Sequence, residues 1–171
     1  MKEMEKRINE VFPKALLHME EENAFWEAHA RWDSTWYALE KAGFWDSHSD
    51  IDEEESADTP ITEAAQHAMD VYVLATDEYE AAEKVLKAIP SDVLMAKRNM
   101  AKARYYFAEI EVKRRESELK MVVLNEFLAD VTPRNEMSDE QTDAWIRLEC
   151  AKAEFFKLKK RYEVWQRLGG G

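Results

Sequence analysis

Glycine is scarce in this chain, and its scarcity excludes several common kinds of binding site. The 171-residue sequence has four glycines, and three of them are residues 169–171 at the C-terminal end. Gly43 is therefore the single internal glycine. Phosphate-binding loops, dinucleotide-binding turns and tight β-hairpins need glycine, because its backbone adopts positive φ and allows close approach. We expect none of these features, and we expect 169–171 to form a flexible tail.

Cysteine and long apolar runs are scarce as well. Cys150 is the only cysteine, so a disulfide within the chain is impossible and a reducing compartment is favoured. No stretch approaches the roughly 18 consecutive apolar residues of a membrane helix, and the charged N-terminal segment lacks the apolar core of a signal peptide. The sequence therefore predicts a cytoplasmic protein with no membrane partner.

The negative charge is concentrated in the first half of the chain. The formal net charge is −12. The segment up to Ile89 carries 8 Lys and Arg against 22 Asp and Glu, whereas the segment from Pro90 onward carries 16 against 14. An acidic surface repels nucleic acid and favours basic partners. We therefore expect a basic protein surface or complex as the partner, with no direct binding of nucleic acid.

Prolines, the internal glycine and the apolar periodicity divide the chain into four long helices and one acidic loop. The helices are predicted at about 13–42, 60–89, 91–131 and 139–168, with the loop at 44–59. The fourth helix opens on a capping box, in which Ser138 precedes Gln141 by three residues. The fold class expected is all-α, a single domain over 1–168. Its architecture is an elongated antiparallel four-helix bundle with coiled-coil-like helices, the third being the longest.

The predicted third helix has a clear heptad pattern. Its apolar seam comprises Val93, Ala96, Met100, Ala103, Phe107, Ile110, Met121, Leu124, Leu128 and Val131, interrupted by Arg114 and Ser117. At 1.5 Å per residue this helix spans roughly 60 Å, against roughly 45 Å for the other three. The overhang predicts an apolar surface that other residues must bury. These are either the N-terminal Ile8, Val11 and Phe12 or residues of a second copy of the chain. The expected oligomer contacts are Val123, Phe127 and Leu128.

Residues with catalytic or metal-binding chemistry are few and lie in no recognisable motif. None of the histidines has a glutamate three residues before it, as di-iron bundles require, and Cys150 lies in no nucleophile motif. We therefore expect no catalytic residue, no cofactor, no metal and no enzymatic activity. A ligand- or metal-binding bundle is a weaker alternative.

Acidic residues without basic neighbours are the strongest surface signal. The loop 44–59 has seven Asp and Glu and no Lys or Arg, and the apolar Trp45 lies at its start, just before the acidic residues. Further acids lie on the first two predicted helices, which we expect to form a hairpin with one shared acidic surface. The predicted partner-binding residues are Glu20, Glu21, Glu22, Trp45, Asp46, Asp50, Asp52, Glu53, Glu54, Glu55, Asp58, Glu63 and Asp70.

In size, charge and helicity the chain is similar to the small acidic helical inhibitors carried by phages and mobile elements, such as nucleic-acid mimics and anti-CRISPR proteins. No sequence motif carries this resemblance. It implies a non-catalytic protein-binding module that engages a basic, nucleic-acid-handling partner, in the host cytoplasm if the protein is phage-encoded. The alternative is a self-assembling helical structural or scaffold protein, for instance a homodimer.

Overall fold

The described part of the chain is all α-helical, which confirms the predicted fold class. The computed structural model describes residues 2–43, 61–129 and 137–169. Within these ranges the chain forms five α-helices: α1 (Lys2–Val11), α2 (Met19–Lys41), α3 (Glu63–Lys87), α4 (Ser91–Leu128) and α5 (Asp139–Leu168). A short 3₁₀ turn, Pro13–Leu16, lies between α1 and α2. None of the described helices is long and apolar enough to cross a membrane.

The contacts divide the chain into two compact units. One unit comprises Met1–Leu17 and Pro90–Gly171, and the other comprises His18–Ile89. The second unit contains the α2–α3 hairpin, and the first contains α1, the 3₁₀ turn, α4 and α5. A single domain over 1–168 stays a prediction.

The N-terminal region differs from its prediction. Pro13 begins the 3₁₀ turn rather than a long helix, and His18 has a φ of 54°, in the left-handed region, so α2 starts only at Met19. The turn is held by a tertiary contact, because the Nζ atom of Lys97 donates a hydrogen bond of 2.8 Å to the carbonyl of the fully buried Ala15. The extra helix α1 makes the longest helix, α4, the fourth of the described chain rather than the third.

The α2–α3 hairpin is antiparallel. The ring of Phe25, early in α2, lies 5.6 Å from that of Tyr79, late in α3. The ring of Trp36, late in α2, lies 5.6 Å from that of Tyr72. The helix α3 is capped by Thr62, whose side chain accepts a hydrogen bond of 3.1 Å from the backbone N–H of Ala65, so it starts slightly after the predicted residue 60.

The helices α4 and α5 also form an antiparallel hairpin. Tyr105 stacks on Tyr162 with ring centroids 5.6 Å apart, while Arg147 lies 3.0 Å from Glu118. The bounds of α5 agree with the prediction at both ends, and the side chain of its cap Ser138 accepts a hydrogen bond of 3.1 Å from the N–H of Gln141. The Ser138 cap is therefore confirmed, whereas the side chain of Gln141 donates a hydrogen bond to Glu126 rather than completing the capping box.

The heptad seam of α4 is buried only near its N-terminal end. Val93 and Met100 are 3% exposed, but Phe107 is 39% and Ile110 is 59% exposed. The side that faces α5 follows another row of positions, which includes the buried Ala101 and the ring of Tyr105. The exposed part of the seam therefore begins at Phe107, well before the C-terminal overhang that the helix lengths predicted.

The N-terminal apolar residues cover the opposite end of α4 from the one expected. Ile8 packs in a cluster with Ala15 and Met100 instead of lying over the C-terminal turns of α4. An ion pair between Lys14 and Asp92, with the two charged groups 2.7 Å apart, holds the 3₁₀ turn against the first turn of α4. Because the Lys14 ammonium donates a hydrogen bond to it, the Asp92 carboxyl has a pKa below its usual value.

Candidate protein-binding surfaces

An aromatic core holds the two helices of the α2–α3 hairpin together. Tyr79 is 8% exposed and is central to this core. Its ring stacks on that of Trp32 at 5.2 Å with an angle of 17° between the planes, and it lies 5.6 Å from Phe25 and 5.5 Å from His29. Such contacts fix how the helices are rotated about their axes. They therefore determine which residues of the hairpin face outward.

A row of three acidic residues follows the outer face of α3. Glu63, Asp70 and Asp77 are exposed and are spaced by seven residues, which places them on one side of the helix about 10 Å apart. Within the described ranges, none of the three forms an ion pair, and Asp70 accepts a hydrogen bond of 2.9 Å from the side chain of Gln66. We call these residues the α3 acidic row.

The three consecutive glutamates at the start of α2 have different environments. Glu20 is exposed, whereas Glu21 lies with its Oε1 atom 2.9 Å from Nδ1 of His18. Glu22 is only 8% exposed and accepts a hydrogen bond of 3.4 Å from the indole of Trp26. The structure thus places Glu22 inside the hairpin and not on the predicted acidic surface. All three lie in the first turn of α2, where negative charge is favoured by the helix dipole.

The antiparallel arrangement separates the two groups of predicted acids. Phe25, one turn after the glutamates of α2, contacts Tyr79 near the end of α3, whereas Tyr72, close to Asp70, contacts Trp36. The first turn of α2 and the first turn of α3 therefore lie at opposite ends of the hairpin. The structure does not bring Glu20 and Glu21 together with Glu63 and Asp70 in one cluster.

The remaining predicted partner-binding residues fall outside the described residues. They are Trp45, Asp46, Asp50, Asp52, Glu53, Glu54, Glu55 and Asp58.

The charge balance of the described hairpin is strongly acidic. Residues 18–43 and 61–89 contain twelve Asp and Glu against four Lys and Arg. Glu78 lies 3.2 Å from Arg31 and so pairs across the two helices. Asp77 completes the α3 acidic row, and its place in the row is visible in the sequence as a seven-residue spacing from Glu63 and Asp70.

The acids of the α4–α5 hairpin, by contrast, are largely paired with arginines and lysines. Glu118 lies 2.8 Å from Arg115 and 3.0 Å from Arg147. Glu111 lies 3.0 Å from Arg114 and 2.8 Å from Arg115. The hydrogen bond from Arg115 lowers the pKa of Glu118. For Glu111, partial burial raises the pKa, but the bonds from its two arginines outweigh that effect and lower it.

The predicted oligomer contacts lie near the C-terminal end of α4. Phe127 is 78%, Leu128 is 71% and Val123 is 47% exposed. The carboxylate of Glu126 accepts hydrogen bonds from Ser138 and Gln141, so the start of α5 lies beside Glu126, and Phe127 and Leu128 come after that contact. The structure therefore leaves these large apolar side chains at the surface.

Residues with catalytic or metal-binding chemistry are dispersed. Among the described residues, no group of three or more His, Cys, Asp or Glu is arranged to hold a metal ion. Cys150 is exposed, and Nδ1 of His29 lies 3.4 Å from Asp33. A depression lined by Glu5, Lys6, Asn9, Glu10 and Leu16 is open to solvent rather than enclosed. His48 lies outside the described residues.

Comparisons with known proteins add no assignment: no protein-family model, no curated protein and no solved structure matches this chain.

Proposed function

We propose that this protein is a non-catalytic binding module whose acidic α2–α3 hairpin engages a basic surface of a partner protein. The observation that carries the proposal is the α3 acidic row, Glu63, Asp70 and Asp77, exposed and not ion-paired within the described residues. The same chain pairs its acids elsewhere, as at Glu111 and Glu118. Unpaired carboxylates repel one another in the free protein, and a basic partner relieves that repulsion.

The spacing of the row favours discrete ion pairs over close imitation of a nucleic-acid strand. Its carboxylates are separated by about 10 Å, whereas a strand of duplex carries one phosphate per roughly 3.4 Å of axis. Arginine and lysine side chains of a folded partner pair with such separate carboxylates individually. Charge complementarity of this kind increases the rate of association and weakens with added salt.

The biological role that fits this surface is inhibition. A basic protein surface that handles nucleic acid is blocked when an acidic protein occupies it, and no chemical step is needed. The resemblance in size, charge and helicity to phage-borne inhibitors supports the same role. The exposed single thiol of Cys150 suits a reducing compartment, so we place this activity in the cytoplasm.

The proposal is tested by neutralising the α3 acidic row. In the variant Glu63→Gln, Asp70→Asn, Asp77→Asn we expect the affinity for a fluorescent oligoarginine peptide to fall, by about threefold to a hundredfold if each lost pair contributes 0.2–1 kcal/mol. Fluorescence anisotropy at low salt measures it, and raising the salt should reduce the difference between the variant and the wild type.

A matched control removes the same number of charges from α5. Glu149, Glu154 and Glu163 each lie within 4.0 Å of a lysine of their own helix, so their replacement by Gln removes acids that already have a partner. We expect this control to bind the peptide nearly as well as the wild type. Equal losses in both variants would show that only net charge matters. A protein that co-purifies from the native host and is acidic or insensitive to salt would also contradict the proposal.

A further inference from the structure

The apolar seam of α4 continues for three heptads beyond the part that is buried. From Phe107 onward its large residues are exposed: Phe107 by 39%, Ile110 by 59%, Met121 by 54%, Leu124 by 47% and Leu128 by 71%. We call these five residues, with Arg114 and Ser117 between them, the α4 seam. It extends over roughly 33 Å of helix. Exposed apolar surfaces of this extent mark interaction sites in soluble proteins.

The α4 seam lies on the side of the helix away from α5. Tyr105 contacts two aromatic rings of α5, and Phe107 follows it by two residues, which is about 200° around the helix. The buried Val122 and the exposed Leu124 are also two residues apart, so they too lie on opposite sides of the helix. Because α5 occupies the opposite side of α4, it leaves room for another helix along the seam.

The pattern of the seam matches that of a two-stranded coiled coil. Its seven positions are three and four residues apart in turn, the period that lets two identical helices interlock along their length, and five of the seven residues are apolar. Arg114 is the single charged residue of the seam, and it lies 3.0 Å from Glu111 of the same helix. One polar residue at such a position fixes the register of the pair and favours two strands, at some cost in stability.

The charges beside the seam select one orientation of a second copy. On one flank the charged residues are Lys113 and Lys120, and on the other they are Glu111 and Glu118. In a parallel, in-register pair, Lys113 of one copy lies beside Glu118 of the other, since these flanking positions are five residues apart. Within one chain Glu118 also lies 2.8 Å from Arg115 and 3.0 Å from Arg147, and Lys113 lies 3.4 Å from Glu109, so the pair between copies adds to these contacts. In an antiparallel pair, lysines face lysines and glutamates face glutamates. The charge pattern therefore favours the parallel pair.

We propose that the α4 seam is the interface with a second copy of this chain, paired parallel and in register as a two-stranded coiled coil. The dimer then carries two copies of the acidic hairpin.

The first test is the mass of the full-length protein by sedimentation equilibrium over a range of concentrations. We expect the wild type to show a monomer–dimer equilibrium. In Leu124→Glu the dissociation constant of the dimer should be at least about tenfold higher. Leu124 is half-exposed, so the substitution leaves the fold intact. The matched control is Leu74→Glu, which changes a 65% exposed leucine of α3 in the same way and should leave the equilibrium unchanged. A strict monomer at all concentrations, or equal effects of both variants, overturns the proposal.

The second test determines the orientation by cysteine cross-linking in a Cys150→Ser background. In a parallel pair, Leu124→Cys lies next to itself and forms a covalent dimer on mild oxidation. In an antiparallel pair a residue at one kind of seam position faces the other kind, so Leu124→Cys does not cross-link to itself but cross-links to Phe107→Cys chains, which overturns the proposal. Lys113→Glu supplies an independent measurement. It should raise the dissociation constant of a parallel dimer about threefold to tenfold, whereas tighter association would contradict this orientation.

Discussion

Replacing Tyr79 by alanine should unfold the α2–α3 hairpin more readily than any change on its surface. The side chain is 8% exposed, and its ring contacts those of Phe25, His29 and Trp32 at 5.2–5.6 Å. Truncation of a buried aromatic residue costs about 3–5 kcal/mol of the free energy of unfolding. Each aromatic pair accounts for about 0.5–1.5 kcal/mol beyond burial, so the stack on Trp32 supplies a substantial part.

The assay is equilibrium unfolding in urea, followed by tryptophan fluorescence and by circular dichroism. The near-ultraviolet circular dichroism of Tyr79→Ala should also weaken, since Trp32 loses the ring on which it stacks. Tyr37→Ala is the matched control, because Tyr37 is 56% exposed. Its ring lies 4.6 Å from the ammonium of Lys41 and has no ring contact with another described residue. We expect a loss of no more than about 1 kcal/mol for the control. A loss for Tyr79→Ala below about 1 kcal/mol, or equal losses for both, would show that the aromatic core does not hold the hairpin.

Two further predictions concern the other features of the fold. Glu118 has a pKa below its usual 4.5 because Arg115 donates a hydrogen bond to it. The ionised carboxylate therefore stabilises the fold fully above pH 4.5, and this stabilisation is lost as the pH falls through the lowered pKa. Urea unfolding should therefore show that Glu118→Gln is less stable than the wild type at neutral pH and that the difference shrinks below pH 4.5; a difference independent of pH would refute this. His18→Gly relieves the φ of 54° but loses the contact of 2.9 Å to Glu21, so its stability should differ from that of the wild type by no more than about 1 kcal/mol, whereas His18→Val loses the same contact, keeps the strain and should be less stable than the wild type by about 1 kcal/mol or more. Thermal unfolding compares the two variants, and a glycine variant less stable than the valine variant would contradict the assignment of strain to this position.

The helix α5 shows how much local sequence can determine. The capping box at Ser138 and the apolar period that follows it predicted 139–168, and the helix is Asp139–Leu168. Both signals are local, because a cap satisfies backbone groups within three residues and a helix buries one side of its own surface. The start of α2 was missed for the opposite reason. The turn before it depends on the bond from Lys97 to the carbonyl of Ala15, 82 residues away in sequence.

The candidate surfaces divide in the same way. The acidity of the first half and the seven-residue spacing of the α3 acidic row can be read from the sequence. Which acids are free is a tertiary matter: Glu22 is buried beside Trp26, and Glu78 pairs with Arg31 of the neighbouring helix. The antiparallel register also determines that the acids at the starts of α2 and α3 lie at opposite ends of the hairpin.

Local sequence is sufficient to predict that this chain is helical, where most of its helices lie and which half carries the negative charge, because propensity, capping and charge are properties of neighbouring residues. Which side of α4 packs against α5 depends on tertiary contacts. That helix has apolar residues on two opposite sides, and periodicity shows both sides equally well. The choice depends on contacts between distant residues, such as Tyr105 with Tyr162, and it leaves the heptad seam exposed from Phe107 to Leu128.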